Sequence, residues 1–160
     1  VLIPFGVDQD PHFRITRDVA PKINKPKPAL IHNIMIPALG GPKGKMSASN
    51  ENETIYTTDS PEVVRKKINK YAFSGGQPDI EEHRKKGGNP DIDVSYQYLR
   101  IFFEPDDKKL EQIHDDYKSG KMLTGELKEI LVEKINQFLA SHQQKREKAR
   151  DQLDKFLLKD

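Results

Sequence analysis

The sequence contains no cysteine. That excludes a disulfide framework and any thiolate nucleophile or ligand, and it suits a reducing compartment. Nowhere do about 18 apolar residues run together, so no transmembrane helix and no membrane partner are expected. Excess charge is missing too. The 27 basic and 25 acidic residues leave a net charge of +2, which does not by itself announce nucleic acid, and no DNA partner is expected. The histidines, at 12, 32, 83, 114 and 142, show neither HExxH nor another paired metal spacing, so no metal site is expected. No Ser-His-Asp order is legible, and the GxxxxGK[ST] phosphate-loop pattern is absent. The opening residues, VLIPFGVDQD, carry no basic region or cleavage pattern and do not read as a signal peptide. A chain that opens in mid-strand is expected to be a fragment.

What is present is polar but able to fold. Of the 160 residues, 34% are hydrophobic and 32% charged, and seven Phe and five Tyr supply core-forming bulk. Basic residues gather at 22–28, 42–45, 65–70, 83–86 and 143–150. Each cluster alone reads as a solvated face. An oligoanion partner gains weight only if several face one way.

The order of segments predicts two parts. VLIPFGV (1–7) reads as a buried strand, with polar DQD at its C-terminal end, where ligand-contacting groups collect in open α/β sheets. Residues 11–20 read as a helix, with Pro11 in the first turn and Phe13, Arg17 and Ala20 on one face. Pro21, Pro26 and Pro28 end it. An extended apolar segment (29–39), a loop (40–53) and a short β-prone stretch, TIYTT (54–58), follow. From residue 59 the periodicity is helical. Ser60 caps a helix that carries Val64, Ile68 and Tyr71, and SGG (74–76) stops it. A short helix over 79–88 begins at an Asp. Residues 93–103 are apolar around the whole wheel and belong in a core. Residues 106–120 form an amphipathic helix through Leu110, Ile113 and Tyr117. Thr124 is expected to cap a long last helix with a stripe through Leu127, Ile130, Leu131, Ile135, Phe138 and Leu139, resumed at Leu153, Phe156 and Leu157. The predicted fold is therefore an α/β fragment over 1–58 followed by an all-α helical bundle over 59–160.

The loop PKGKMSASN (42–50) allows three readings: a plain surface loop, a phosphate-gripping loop and an RNA-backbone contact. Lys43 and Lys45 offer mobile ammonium groups, and Ser47 and Ser49 offer hydroxyls. Composition does not separate the last two.

The segment KMSAS resembles the KMSKS signature of class I aminoacyl-tRNA synthetases, in the form taken by the eukaryotic-type tryptophanyl-tRNA synthetases. GVDQDPHFRITRDVAP, PKPALIHNIMIPAL, AFSGGQPDIEEHRKKGGN, DVSYQYL and MLTGELK each resemble the corresponding segment of that family, in the same order. The resemblance runs to about residue 150. It implies the C-terminal part of a Rossmann-like catalytic domain over 1–58 and an anticodon-binding helical domain over 59–160. The implied activity is ATP-dependent ligation of tryptophan to tRNA(Trp) by a cytoplasmic enzyme, expected to be a homodimer.

By the same resemblance, Lys45, Met46, Ser47 and Ser49 form the mobile loop that closes over ATP, which arrives with Mg2+. Lys45 brings positive charge to the triphosphate, an electrostatic form of transition-state stabilisation. Ala48 stands where the wider class has a second lysine. Gln9 matches a residue of the tryptophan pocket, and its carboxamide can both donate and accept. Lys128 matches an anticodon-contacting lysine, and Asp79 lies near an acidic anticodon-reading position. The HIGH-type motif is expected upstream, so the fragment alone is expected to be inactive. The alternatives are a non-catalytic tRNA-binding helical module and a synthetase paralogue with altered specificity.

Overall fold

The computed structural model describes residues 1–46 and 49–156, with the backbone alone described over 42–45. The chain forms two compact units, Val1–Ile36 and Pro37–Asp160.

In the first unit, strand β1 (Leu2–Gly6) runs parallel to β2 (Ala29–Asn33), with Leu2 opposite Ala29 and Gly6 opposite Asn33. Parallel neighbours need a crossover connection. Helix α1 (Asp10–Val19) supplies it, flanked by 3-10 turns at Val7–Gln9 and Ala20–Ile23. The face predicted from spacing is the face that packs. Phe13 stacks on Phe5 with ring centroids 4.4 Å apart, Arg17 donates to the Pro28 carbonyl, and Ala20 is buried. Asn24, at φ 57, ends the second turn in the left-handed region that Asn tolerates. The strand expected to be buried is only partly so: Phe5 is buried but Leu2 is 59% exposed. Its sheet has two strands, whereas parallel sheets are normally covered on both faces.

In the second unit, β3 (Pro37–Ala38) and β4 (Gly41–Lys45) form an antiparallel pair, with Pro37 opposite Lys45. The expected loop over 40–53 thus begins as a strand, because Gly41 adopts φ 148 and lets the chain turn back. TIYTT forms no strand. Side chains take its backbone groups instead: Lys67 Nζ donates to Thr54 O at 2.8 Å, and Tyr56 N–H donates to Asp59 Oδ2 at 3.0 Å.

Helices follow: α2 (Pro61–Tyr71), α3 (Ile80–Lys86), α4 (Val94–Tyr98) running into a π-turn (Leu99–Phe103), α5 (Asp107–Lys118) and α6 (Thr124–Arg150). Ser60, Asp79, Asp93 and Asp106 each accept backbone N–H groups at a helix start. Thr124 does not cap α6. Leu123 occupies the cap position, its N–H donates to Glu126 at 2.7 Å, and the Thr124 hydroxyl turns inward. Val64, Ile68, Leu99, Tyr117, Leu127 and Leu131 are fully buried at the centre of one core. The stripe of α6 is not resumed after Arg150. Leu153 and Phe156 are exposed, and Leu157 lies outside the described residues. Among the described residues, no helix is long and apolar enough to cross a membrane.

Candidate functional site

The KMSAS segment begins where β4 ends, at Lys45. Its upstream side is held through β3. The Tyr98 hydroxyl donates to Pro37 O at 2.6 Å, and Phe73 N–H donates to Leu39 O at 2.7 Å. Burial pushes the Tyr98 phenol well above its ordinary pKa, so this donor keeps its proton. Met46 is half-buried and packs against the core. Ser47 and Ala48 lie outside the described residues, and Ser49 is exposed.

The downstream side is held as firmly. Lys67 Nζ reaches Asp59 Oδ2 at 2.7 Å and Thr54 O at 2.8 Å, and lies 4.7 Å from the centre of the Tyr56 ring. Gln143 donates to Thr57 O and Asp59 O at 2.9 and 3.1 Å.

Gln9 lies in the first unit. It is exposed, closes the 3-10 turn after β1, and its side chain caps no amide of α1. Beside it, Asp10 accepts from His32 Nε2 at 2.8 Å and Arg14 Nε at 2.6 Å. The His32 hydrogen bond and the Arg14 guanidinium hold the Asp10 carboxyl below its usual pKa, against partial burial. The His32 ring also meets Phe5 edge-on at 4.7 Å. A histidine 22 positions away gives no sequence signal for such a pairing.

Asp79 caps α3, accepting Glu82 N–H at 2.7 Å. It borders a surface pocket of about 440 Å³ formed with Gln77, Pro78, His83 and residues 123–126 at the start of α6. Lys128, one turn further along α6, is outside that lining. Its ammonium donates to Asn69 O at the end of α2, at 3.3 Å. Burial of its stem lowers the Lys128 pKa, partly offset by the charge of Asp93.

Asp93 organises this region. Fully buried, it accepts Ser95 N–H at 2.9 Å and Tyr96 N–H at 3.3 Å on one oxygen, and Gly75 N–H at 2.9 Å and the Tyr117 hydroxyl at 2.8 Å on the other. Ser74 and Thr124 hydroxyls lie 3.3 and 3.2 Å from the Tyr117 oxygen. Burial first, and the Asp93 charge second, push the Tyr117 phenol up to about 12. Buried His83 accepts Gln77 N–H at 3.3 Å and lies 3.0 Å from Met122 O, an arrangement that suits the neutral ring with its proton on Nε2. The carboxylate thus ties the Ser-Gly-Gly turn to the first residue of α6.

The model of the family described as tRNA synthetases class I (W and Y) matches residues 1–140. The chain belongs to this family. The tryptophan–tRNA ligase of Sulfurisphaera tokodaii is 58% identical over 155 residues, covering 97% of this chain and 41% of the relative. The human cytoplasmic tryptophan–tRNA ligase is 55% identical over 154 residues, covering 96% of this chain and 32% of the relative. Among solved structures, the tryptophanyl-tRNA synthetase of Aeropyrum pernix superposes with a TM-score of 0.88 at 39% identity, covering 94% of this chain and 41% of that one. The chain therefore spans between about a third and two fifths of the length of these relatives. In this class I synthetase chain, Asp93, Lys67, Tyr98 and the Asp10–His32 pair are the organising residues that sequence reasoning missed.

Proposed function

We propose that the protein to which this chain contributes is a tryptophan–tRNA ligase. It would join tryptophan to tRNA(Trp) at the expense of ATP, in the cytoplasm and as a homodimer. The observation that carries this reading is the KMSAS segment, starting at the last residue of β4 and flanked by pinned segments, in a chain 58% identical to a tryptophan–tRNA ligase. Residues 1–58 would complete a Rossmann-like catalytic domain, and residues 59–160 would form an anticodon-binding helical bundle.

In this proposal Lys45, Met46, Ser47 and Ser49 close over ATP. Met46, packed on the core, would be the pivot, and Lys45 would place its ammonium against the phosphates as charge develops at the reacting phosphorus. Preorganised positive charge of this kind acts in the transition state without covalent chemistry by the protein. Mg2+ would enter with ATP as part of the substrate. Among the described residues, no cluster of three or more His, Cys, Asp or Glu is placed to hold a metal ion by itself. Gln9 would bind the polar groups of tryptophan. Lys128 and Asp79 would contact the anticodon, whose unstacked bases are read by their edges.

Tryptophan-dependent ATP–pyrophosphate exchange tests the proposal. The full-length protein should exchange, and the 160-residue chain alone should not. A full-length protein that binds tRNA with a steep salt dependence but shows no exchange would instead be a non-catalytic tRNA-binding module. Exchange with a different amino acid would make it a paralogue of altered specificity.

A further inference from the structure

Phe138 belongs to the apolar stripe of α6 by spacing, yet it is 54% exposed. Its ring does not stand alone. It meets Phe103 edge-on at 6.0 Å and lies nearly parallel to His142, at 15° and 6.2 Å. Phe103 in turn meets Phe102, 52% exposed, at 6.0 Å. Four rings thus form a continuous ladder across the end of the π-turn and the middle of α6. Further along α6 come Arg146 and Arg150, about 12 and 18 Å along the axis from Phe138, on a ridge that winds progressively round the helix. Over 145–150 the charges are Lys145, Arg146, Lys148 and Arg150 against Glu147 alone. Arg146 and Arg150 reach Glu147 only at 3.7 and 3.6 Å in exposed pairs, which are weak and readily exchanged for another anion.

The exposed Phe102 and Phe138 rings, with exposed cations further along the same helix, supply the two components of single-strand recognition: a stacking platform for bases and a positive track for phosphates. A hydrophobic protein partner would account for the rings but not for the cations further along α6. We propose that the Phe102–Phe103–Phe138–His142 ladder and the basic end of α6 form a binding surface for unpaired nucleotides of an RNA. None of Lys45, Gln9, Asp79 or Lys128 lies in this strip. The inference rests on the partner being an RNA, as proposed above, and not on how the anticodon is read.

The test is fluorescence anisotropy on the 160-residue chain with three labelled probes of equal length: a single-stranded RNA, the same strand with abasic positions, and a duplex. Phe138→Ala and Phe102→Ala should each weaken binding of the base-bearing strand by about tenfold while barely changing the abasic one, because stacking needs the base. Arg146→Gln should weaken both strands and lower the salt slope. Both phenylalanines are half-exposed, and melting curves check that the variants fold. Equal binding of the base-bearing strand by parent and both Phe variants would overturn the proposal. Self-association that Phe138→Ala abolishes would overturn it too, assigning the face to a second copy of the chain. If no probe binds and full-length protein also fails to bind tRNA, the RNA reading itself falls. If tRNA binds insensitively to Phe138→Ala, only the strip falls.

Discussion

At the scale of single residues, buried polar groups decide what the neighbouring loops can do. Asp93 has no exposed surface and both oxygens are engaged. Its partner Tyr117 makes the consequence measurable. The folded phenol titrates near 12, against an ordinary value of 10.0. Above pH 10 the unfolded chain loses this proton first, so the folded state binds more protons and stability falls as pH rises between the two values. Denaturant melts across that range should show the fall, and Tyr117→Phe should lessen it, the raised Tyr98 and Tyr96 phenols supplying the remainder. The same variant should cost about 1–3 kcal/mol at neutral pH, because it leaves Asp93 short of a donor. Glu104 behaves in the opposite sense. Burial alone would raise its pKa, but Lys134 at 2.9 Å, the Asp106 N–H at 3.3 Å and Lys109 at 3.4 Å bring it below its ordinary value of 4.5. Its contribution is complete above that value and is lost as pH falls through the folded pKa. Glu104→Gln should therefore destabilise the protein at pH 7 and weaken the acid dependence of its stability, read from melts between pH 3 and 7.

At the scale of elements, the turns and clasps control geometry. A methyl group on Gly75 would sit 2.0 Å from the Asn89 carbonyl oxygen. Gly75→Ala must displace backbone, and a loss of roughly 2 kcal/mol or more is expected in thermal unfolding, beyond the usual range for a surface change. Lys67→Met removes the clasp on 54–59 while leaving the stem to pack on Tyr56. In the full-length protein it should raise KM for ATP several-fold and leave tryptophan binding unchanged; an unaltered KM would show that the clasp does not position the loop. These elements also mark what the sequence could reveal. Helix starts at Ser60 and Asp79 and the face of Phe13, Arg17 and Ala20 were legible, because capping and periodicity are local. TIYTT was misleading, because β propensity was overridden by Lys67 and Asp59. Spacing puts Phe138 in the apolar stripe of α6, although the packing leaves its ring half in solvent. The Asp93 and Asp10–His32 networks were invisible, since their partners come from distant segments. Of the candidate site, KMSAS was legible as a motif, while the clasps that hold it were not.

For the whole molecule, family membership and a catalytic role are separate claims. Membership rests on a match over residues 1–140 and on relatives that include one 58% identical. The catalytic role is the proposal that Lys45 acts on ATP. Lys45→Ala in the full-length protein, assayed by tryptophan-dependent ATP–pyrophosphate exchange together with equilibrium tryptophan binding, addresses it directly. A transition-state contact predicts that kcat falls by about two orders of magnitude while tryptophan affinity is unchanged. Undiminished exchange, or a loss confined to tryptophan binding, would contradict the role assigned to this loop.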